Sequence, residues 1–419
     1  MATTTMNTPH QNLHEWQIRN QQEPLLRRAG NFYRFLQGFA SSGQSLYRRE
    51  VLSAADREVL VQDPLTGSVR PMLMFASNNY LGLANHPYIR EKVRQAAQAY
   101  GTGIGGPPLL NGFLRLTGEL EERLAALKGQ EAALLFSSGY AANLGLLGAL
   151  VRRKDLLCYD EFSHASFLDG IHLGHLAARE FPHNRLDRLE ALLENTKGDG
   201  DKFVGVEGIY SMDGDMAPLN ELAALCRRYN ALLIVDDAHG TGVVGKSGAG
   251  TASFLNCEAE VDIAMGTFSK TFAVAGGFVA ASRDVVEYMR YHSRSYIFSA
   301  SLPPIVQAAV LAGIEVMENE PERQEMLHEN VRYASRLLAP YGMIHAPAGG
   351  IIALKVPEGM DIRMANLAFH KAGIFLNAIE FPAVPMHQDR FRISLMCHHT
   401  PADIDRLATV TDQIWKAFK

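Results

Sequence analysis

Four short stretches of this chain hold residue types that do chemistry when brought together. In MGTFSKTFAVAGGF (265–278) one lysine, Lys270, follows two hydroxyls, Thr267 and Ser269, just past the apolar run Val261-Asp262-Ile263-Ala264-Met265. An amine at the edge of a buried strand loses solvation, its pKa falls, and it becomes a nucleophile. VDDAHGTG (235–242) ends a second apolar run with Asp236, a carboxylate that needs a cationic partner once buried, and sets His239 three residues on. DEFSHASFLDG (160–170) holds His164, whose imidazole can stack on a flat ring, act as an acid or base, or sit in the core at a helix start. FSSGYAANLG (136–145) places Ser137, Ser138 and Gly139 between a strand and a helix, where free N–H groups can hold a phosphate. Asp and His also ligate metals, but no HExxH or Cys/His spacing accompanies them and no metal is expected. An anion cradle, a stacking histidine, a buried aspartate and a reactive lysine together describe a pyridoxal phosphate site.

The elements that must position these residues are short and regular. Strands are predicted at 132–136, 156–160, 203–208, 232–236, 262–266 and 277–281, with helical stretches such as YAANLGLLGALVRR and LNELAALCRRY between them. Little alternation within the strands and helices between them imply a mostly parallel sheet covered on both faces. The carboxyl ends of such strands meet in one cleft, which brings the four stretches together. In TGELEERLAALKG, Leu120, Leu124 and Leu127 share a helical face, with Thr117 expected as N-cap and Gly129 as the stop. GTGIGG (101–106) matches a dinucleotide fingerprint, but it follows a helical segment and runs into Pro107-Pro108, so it reads as a loop. Three units are expected: an N-terminal segment (1–70) with a basic, aromatic stretch, a large α/β domain (71–304), and a smaller C-terminal α+β domain (305–419) containing GGIIALKV and RFRISLM. The N-terminal stretch reads either as an ordinary solvated segment or as an arm on another subunit or a lipid, so peripheral membrane contact stays open.

Composition sets the outer bounds. At 47% hydrophobic and 20% charged, the 419-residue chain is globular, and a formal charge of −5 gives no reason to expect nucleic acid as a partner. No apolar run approaches the ~20 residues that span a bilayer. The N-terminus lacks a secretory signal, and the four cysteines (Cys158, Cys226, Cys257, Cys397) form no CxxC pair, so a cytoplasmic protein with free, buried thiols is expected.

The motifs SNNYLGL, FSSGYAANLG, SHAS, EGIYSMDGDMAPL, VDDAHGTGVVG, GTFSK, YIFSASLPP and PAVP, in this order between residues 77 and 407, resemble those of the α-oxoamine synthases. These are fold-type I pyridoxal phosphate enzymes. The resemblance implies a homodimer that condenses an amino acid with an acyl-CoA or acyl-carrier thioester and releases carbon dioxide. It also implies roles. Lys270 would hold the cofactor aldehyde, His164 would stack on its ring, Asp236 would keep the pyridine nitrogen protonated, and His239 would bond the phenolic oxygen. Gly139, Tyr140, Thr267 and Ser269 would bind the phosphate, with Ser299 reaching it from the other subunit. Ser211 and Glu207 fall on further cofactor-site motif positions, and Asn78 and Arg392 on those that handle the amino-acid carboxylate. Two departures stand out: Gly106-Pro107-Pro108-Leu109 lacks an arginine often found there, and Glu380 replaces an arginine before PAVP. LLNG, YIFSASLPP and SLMCHHT lean toward the palmitoyltransferase members, which use serine. VDDAHGTG and YSMDGDMAPL lean toward the oxononanoate synthases, which use alanine. Serine with a long-chain acyl thioester is the favoured pairing, with a ketobutyrate ligase as a further alternative. A fold-type I aminotransferase is the rival of a different class.

Overall fold

The computed structural model describes residue 16 and residues 22–41, 46–195 and 199–417. Parts of the N-terminal segment (1–15, 17–21 and 42–45) therefore lie outside the described residues. Helix α1 (Leu25–Ser41) falls on the basic, aromatic stretch, and Trp16 packs against its Phe32 at 4.7 Å between ring centres. Strands β1 (Glu50–Val51), β2 (Glu58–Gln62) and β3 (Val69–Met74) follow, then α2 (Pro87–Tyr100) and α3 (Arg115–Lys128). Gly129 ends α3 with a left-handed φ of 65°, a conformation that suits a residue without Cβ. Thr117 is not the N-cap. The helix begins two residues earlier, with Leu114 in the cap position, and the Thr117 hydroxyl reaches back to accept the Leu114 N–H at 3.1 Å.

The main sheet is built from β4 (Ala132–Phe136), β5 (Leu156–Asp160), β6 (Ala178–Phe181), β7 (Lys202–Glu207), β8 (Ala231–Asp236), β9 (Ile263–Thr267) and β10 (Gly277–Ala281). Its order is β4-β10-β9-β8-β7-β5-β6. β10 runs antiparallel to both neighbours and the rest are parallel. Six of the seven strands lie within a residue of the predicted positions. The seventh, β6 (AREF), is a sheet edge with two of its four residues exposed, so its sequence carries no apolar run to betray it. Both faces of the sheet are buried, as its near-continuous hydrophobic strands require. Val204, Val206, Leu233 and Val235 pack on one side with Leu222 and Leu225, while Phe203, Ile234 and Ile263 pack on the other with Leu146 and Leu147. Helices α4 (Gly139–Leu150) and α5 (Ala165–Gly174) start at the carboxyl ends of β4 and β5.

The C-terminal part adds long helices (Pro304–Asn319, Glu322–Leu338, Pro401–Ala417) and the strands β11 (Ile351–Lys355), β12 (Ile374–Phe375), β13 (Asn377–Ile379) and β14 (Arg390–Ser394). β11, β14 and β13 form one antiparallel sheet. β12 instead pairs parallel with β3, tying the N-terminal strands to the C-terminal part of the chain. All four cysteines are free and buried, and burial pushes the Cys158 and Cys226 thiols up to about 12. Among the described residues no helix is long and apolar enough to cross a membrane.

Candidate active site

The register of the sheet brings two acids side by side. Glu207 and Asp236 are the last residues of β7 and β8 and are direct partners in that parallel pair. Both are buried, at 3% and 5% exposure. Asp236 accepts from Asn143 Nδ2 at 2.8 Å and from the Ala238 N–H at 3.1 Å, both neutral donors. Burial draws its pKa up, and Asn143 and His164 hold it down. Glu207 takes the Ser211 N–H on Oε2 at 3.0 Å, while Oε1 is buried without a partner among the described residues. Burial and the neighbouring Asp236 push the Glu207 carboxyl well above its ordinary range.

Around these acids stand the other residues that the sequence singles out. Lys270 follows β9 and is half-buried, and no hydrogen bond engages its Nζ among the described residues. Burial and Arg392 lower its pKa, against Asp236 and Glu207. Thr267 is buried at the end of β9, its Oγ1 donating to the Gly276 carbonyl at 3.0 Å and lying 3.0 Å from Ser269 Oγ. Gly139 opens α4 directly against this corner: a Cβ there would sit 2.8 Å from Thr267 Cβ, too close for any side chain. Ser138 caps α4 by accepting the Ala141 N–H at 3.0 Å, which leaves the Gly139 and Tyr140 N–H groups as the helix's free donors. The Tyr140 hydroxyl itself bonds Asp169.

His164 is the N-cap of α5 and lies at the open side, its Nδ1 2.8 Å from Ser166 Oγ and accepting the Ser166 N–H at 3.2 Å. Desolvation of the ring lowers its pKa, and Lys270 adds to the effect against Asp236. His239 is buried, and desolvation with Lys270, Arg392 and His164 holds it neutral, far below 6.5. Arg392, in β14 and 4% exposed, donates from Nε to the Ser211 carbonyl (2.6 Å) and from Nη1 to Asn78 Oδ1 and Ser394 Oγ (both 3.0 Å). Ser299 stands apart. Its one described bond is a long 3.5 Å contact to the Ala300 carbonyl, and it shares a small hollow with Ser137 and Ser301.

Two residues at the site escape the sequence reading. Asn143 joins Asp236 to Ser166 (2.9 Å), and Tyr80 joins Asn78 to His239. The signal for Asn143 is a lone amide in the apolar helix GYAANLGLLGAL, where a buried polar group needs partners.

Residues 70–410 match the family model described as aminotransferase class I and II. The chain belongs to that family. It is 37% identical to a serine palmitoyltransferase of Sphingobacterium spiritivorum over 388 residues, 92% of this chain and 95% of that protein. It is 39% identical to an 8-amino-7-oxononanoate synthase of Geobacter sulfurreducens over 379 residues, 89% of this chain and 95% of the relative. A solved serine palmitoyltransferase from S. paucimobilis, carrying pyridoxal phosphate joined to myriocin, superposes with a TM-score of 0.87 at 29% identity, covering 94% of this chain and 99% of that one. The relatives are α-oxoamine synthases, and the chain is an enzyme of this aminotransferase-type, pyridoxal phosphate-dependent class with the fold-type I architecture.

Proposed function

We propose that this enzyme condenses serine with a long-chain acyl thioester, on coenzyme A or an acyl carrier, and releases carbon dioxide to give an aminoketone. The observation that carries the cofactor assignment is the uncompensated carboxylate of Asp236, buried among neutral donors. A protonated pyridine nitrogen is the cation it lacks. Pyridoxal phosphate fits the rest of the corner as well: free N–H groups at Gly139 and Tyr140, hydroxyls at Thr267 and Ser269, and an unengaged Lys270 amine. When bound, it supplies the electron sink that accepts charge developed at the substrate α-carbon.

Each residue then has a task. Asp236, oriented by Asn143, would hold a proton on the ring nitrogen. Lys270 anchors the cofactor, and its lowered pKa leaves a larger neutral fraction able to take the α-proton. His164 would stack on the ring when the cofactor is bound and could donate to the thioester carbonyl oxygen. His239 would bond the phenolic oxygen, and Ser211 positions both Glu207 and Arg392 through its backbone. Arg392 and Asn78 receive the amino-acid carboxylate. Ser299 completes the phosphate site from a second copy, and the 74% exposure of the adjacent Phe298 supports a partner covering that segment.

The test combines spectra and products. Purified protein should take up pyridoxal phosphate with imine absorption that Lys270→Ala abolishes. Arg392→Leu should weaken binding of the amino acid by about ten- to a hundred-fold, the loss of a charge-assisted bond of roughly 1.5–3 kcal/mol. Mass spectrometry of reactions with single amino acids and a panel of acyl-CoAs should then show serine with long chains as the productive pair. Alanine with pimeloyl thioester as the preferred pair would make the enzyme an oxononanoate synthase instead, a reading favoured by the Geobacter relative. Protein that ignores the cofactor while folded would overturn the whole proposal.

A further inference from the structure

A hydrogen-bonded chain runs from Arg392 through Asn78 and Tyr80 to His239. Arg392 Nη1 donates to Asn78 Oδ1 at 3.0 Å, and Ser394 Oγ lies 3.4 Å from the same oxygen. Tyr80 Oη sits between the acceptor Asn78 Oδ1, 3.1 Å away, and His239 Nδ1, 2.8 Å away. The tyrosine is fully buried, and a Cβ on Gly350 would come within 2.5 Å of its ring, so the phenol has little room to move.

Counting hydrogens leaves two arrangements. Neutral His239 has one N–H, and the phenol has one O–H, which burial keeps in place. If the phenol donates to Asn78, His239 must donate from Nδ1 to the phenol oxygen, leaving Nε2 a bare acceptor. If the phenol donates to Nδ1, then Nε2 carries the hydrogen. The amide oxygen has two lone pairs and three candidate donors. Arg392, the only charged one, takes the first. Ser394 accepts from Arg392 Nη1 at 3.0 Å, and its hydroxyl is a second, longer candidate at 3.4 Å from Asn78 Oδ1. The phenol lies closer to His239 Nδ1 (2.8 Å) than to Asn78 Oδ1 (3.1 Å), so with Arg392 on the amide oxygen the shorter contact takes its hydrogen.

We propose that Arg392 and Asn78, acting through the Tyr80 hydroxyl, hold the hydrogen of His239 on Nε2. Tyr80 is thus a positioning residue: it presents His239 as a donor to an oxyanion. That consequence for catalysis rests on the function proposed above, whereas the tautomer itself does not.

The experiment is nitrogen-15 NMR on histidine-labelled full-length enzyme, with the His239 signals identified by their loss in His239→Gln. Spectra are taken before and after pyridoxal phosphate is added, with absorbance recorded on the same samples. The wild type should show a protonated Nε2 and a bare Nδ1 before cofactor is added. Tyr80→Phe should lower the ratio of the Nε2–H to the Nδ1–H form by about ten-fold, the scale of one hydrogen bond. It should also lower kcat while leaving the amino-acid KM within about two-fold. Arg392→Leu frees a lone pair on Asn78 and should shift the hydrogen toward Nδ1 with Tyr80 intact, which keeps the test alive if Tyr80→Phe does not fold. A wild-type enzyme with its hydrogen on Nδ1, or variants with an unchanged tautomer, would overturn the proposal. Missing imine absorption with the expected tautomers would instead fault the cofactor reading alone.

Discussion

Lys128 offers the sharpest test of how the scaffold holds the site. It is the last residue of α3, yet its side chain is only 3% exposed. Nζ donates to Asp237 Oδ2 (2.6 Å), Thr241 Oγ1 (2.8 Å) and the Ala249 carbonyl (2.8 Å), which uses all three ammonium hydrogens. Asp237 is completed by the Thr251 hydroxyl at 2.6 Å and backbone N–H at 3.1 Å. Gly250, at φ 104°, leaves room for this pair, since a Cβ there would lie 1.7 Å from Asp237 Oδ2. The staple thus grips residues 237–251 immediately beside Asp236 and His239. Lys128→Met keeps the volume and removes the cation, leaving Asp237 buried and unpaired, a loss of about 3–5 kcal/mol. With an unfolding entropy of roughly 2.1 cal/mol/K per residue, a chain of this length melting as one unit should lose about 3–6 °C. Differential scanning calorimetry of Lys128→Met, Asp237→Asn and the double variant measures this directly. The double variant should lose less than the sum of the singles, because neither leaves a lone charge when the other is gone. Cofactor affinity should fall with stability, as the loop bearing Asp236 loosens. A single variant within 1 °C of wild type, or strictly additive losses, would refute the staple.

Two further outcomes are expected. Asn143→Leu deletes the side-chain donor to Asp236 and should weaken pyridoxal phosphate binding by about ten-fold in absorbance titrations, with an unchanged dissociation constant counting against its role. His183 is clasped by Asp160 (3.0 Å) and Asp215 (2.8 Å), and these bonds raise its pKa to about 10 despite burial. A raised folded-state pKa contributes stability fully below about 6.5 that fades as pH rises toward about 10, so the melting gap between wild type and His183→Gln should be widest in acid and close in alkali. A gap independent of pH would sink this account.

Much of the site is legible in the sequence because its chemistry sits where strands end. Asp236 closes β8, Thr267 closes β9, and Gly139 opens α4, each flagged by an apolar run that stops at a polar or small residue. What stays hidden depends on contacts far apart along the chain. Tyr80 reads as one more aromatic beside Leu81 and Leu83, and its partner His239 is 159 residues away. Lys128 looks like an ordinary cation at a helix end, and its burial is set by a loop more than 100 residues downstream. Glu380 reads as a missing arginine, but Arg363 meets it with two bonds (3.1 and 2.7 Å) and the Tyr47 hydroxyl with a third (3.0 Å). Thr117 illustrates the opposite error. A strong capping residue type was available, and the helix started earlier because the side chain could cap from its third position.

The pairing of Glu380 bears on how the proposed site recognises an amino acid. Three arginines of the C-terminal part, Arg363, Arg390 and Arg392, bear on this question. Arg363 is neutralised by Glu380, and Arg390 is locked on Asp213 at 2.5 Å. Arg392 differs from both, since its described partners are a backbone carbonyl, an amide and a hydroxyl, all neutral. A buried guanidinium without a counter-ion is costly, and its field depresses the proton affinity of both Lys270 and His239. An anionic carboxylate arriving at Arg392 supplies the missing charge and removes that penalty. The same event relieves the part of the Lys270 depression that Arg392 causes, so carboxylate binding and lysine protonation are coupled through one guanidinium. On this reading Arg392 links recognition to chemistry by charge alone. On the proposed function, the absence of an arginine at Glu380 costs the site no receptor, because of these three arginines the one whose described partners are all neutral is the one that bonds Asn78.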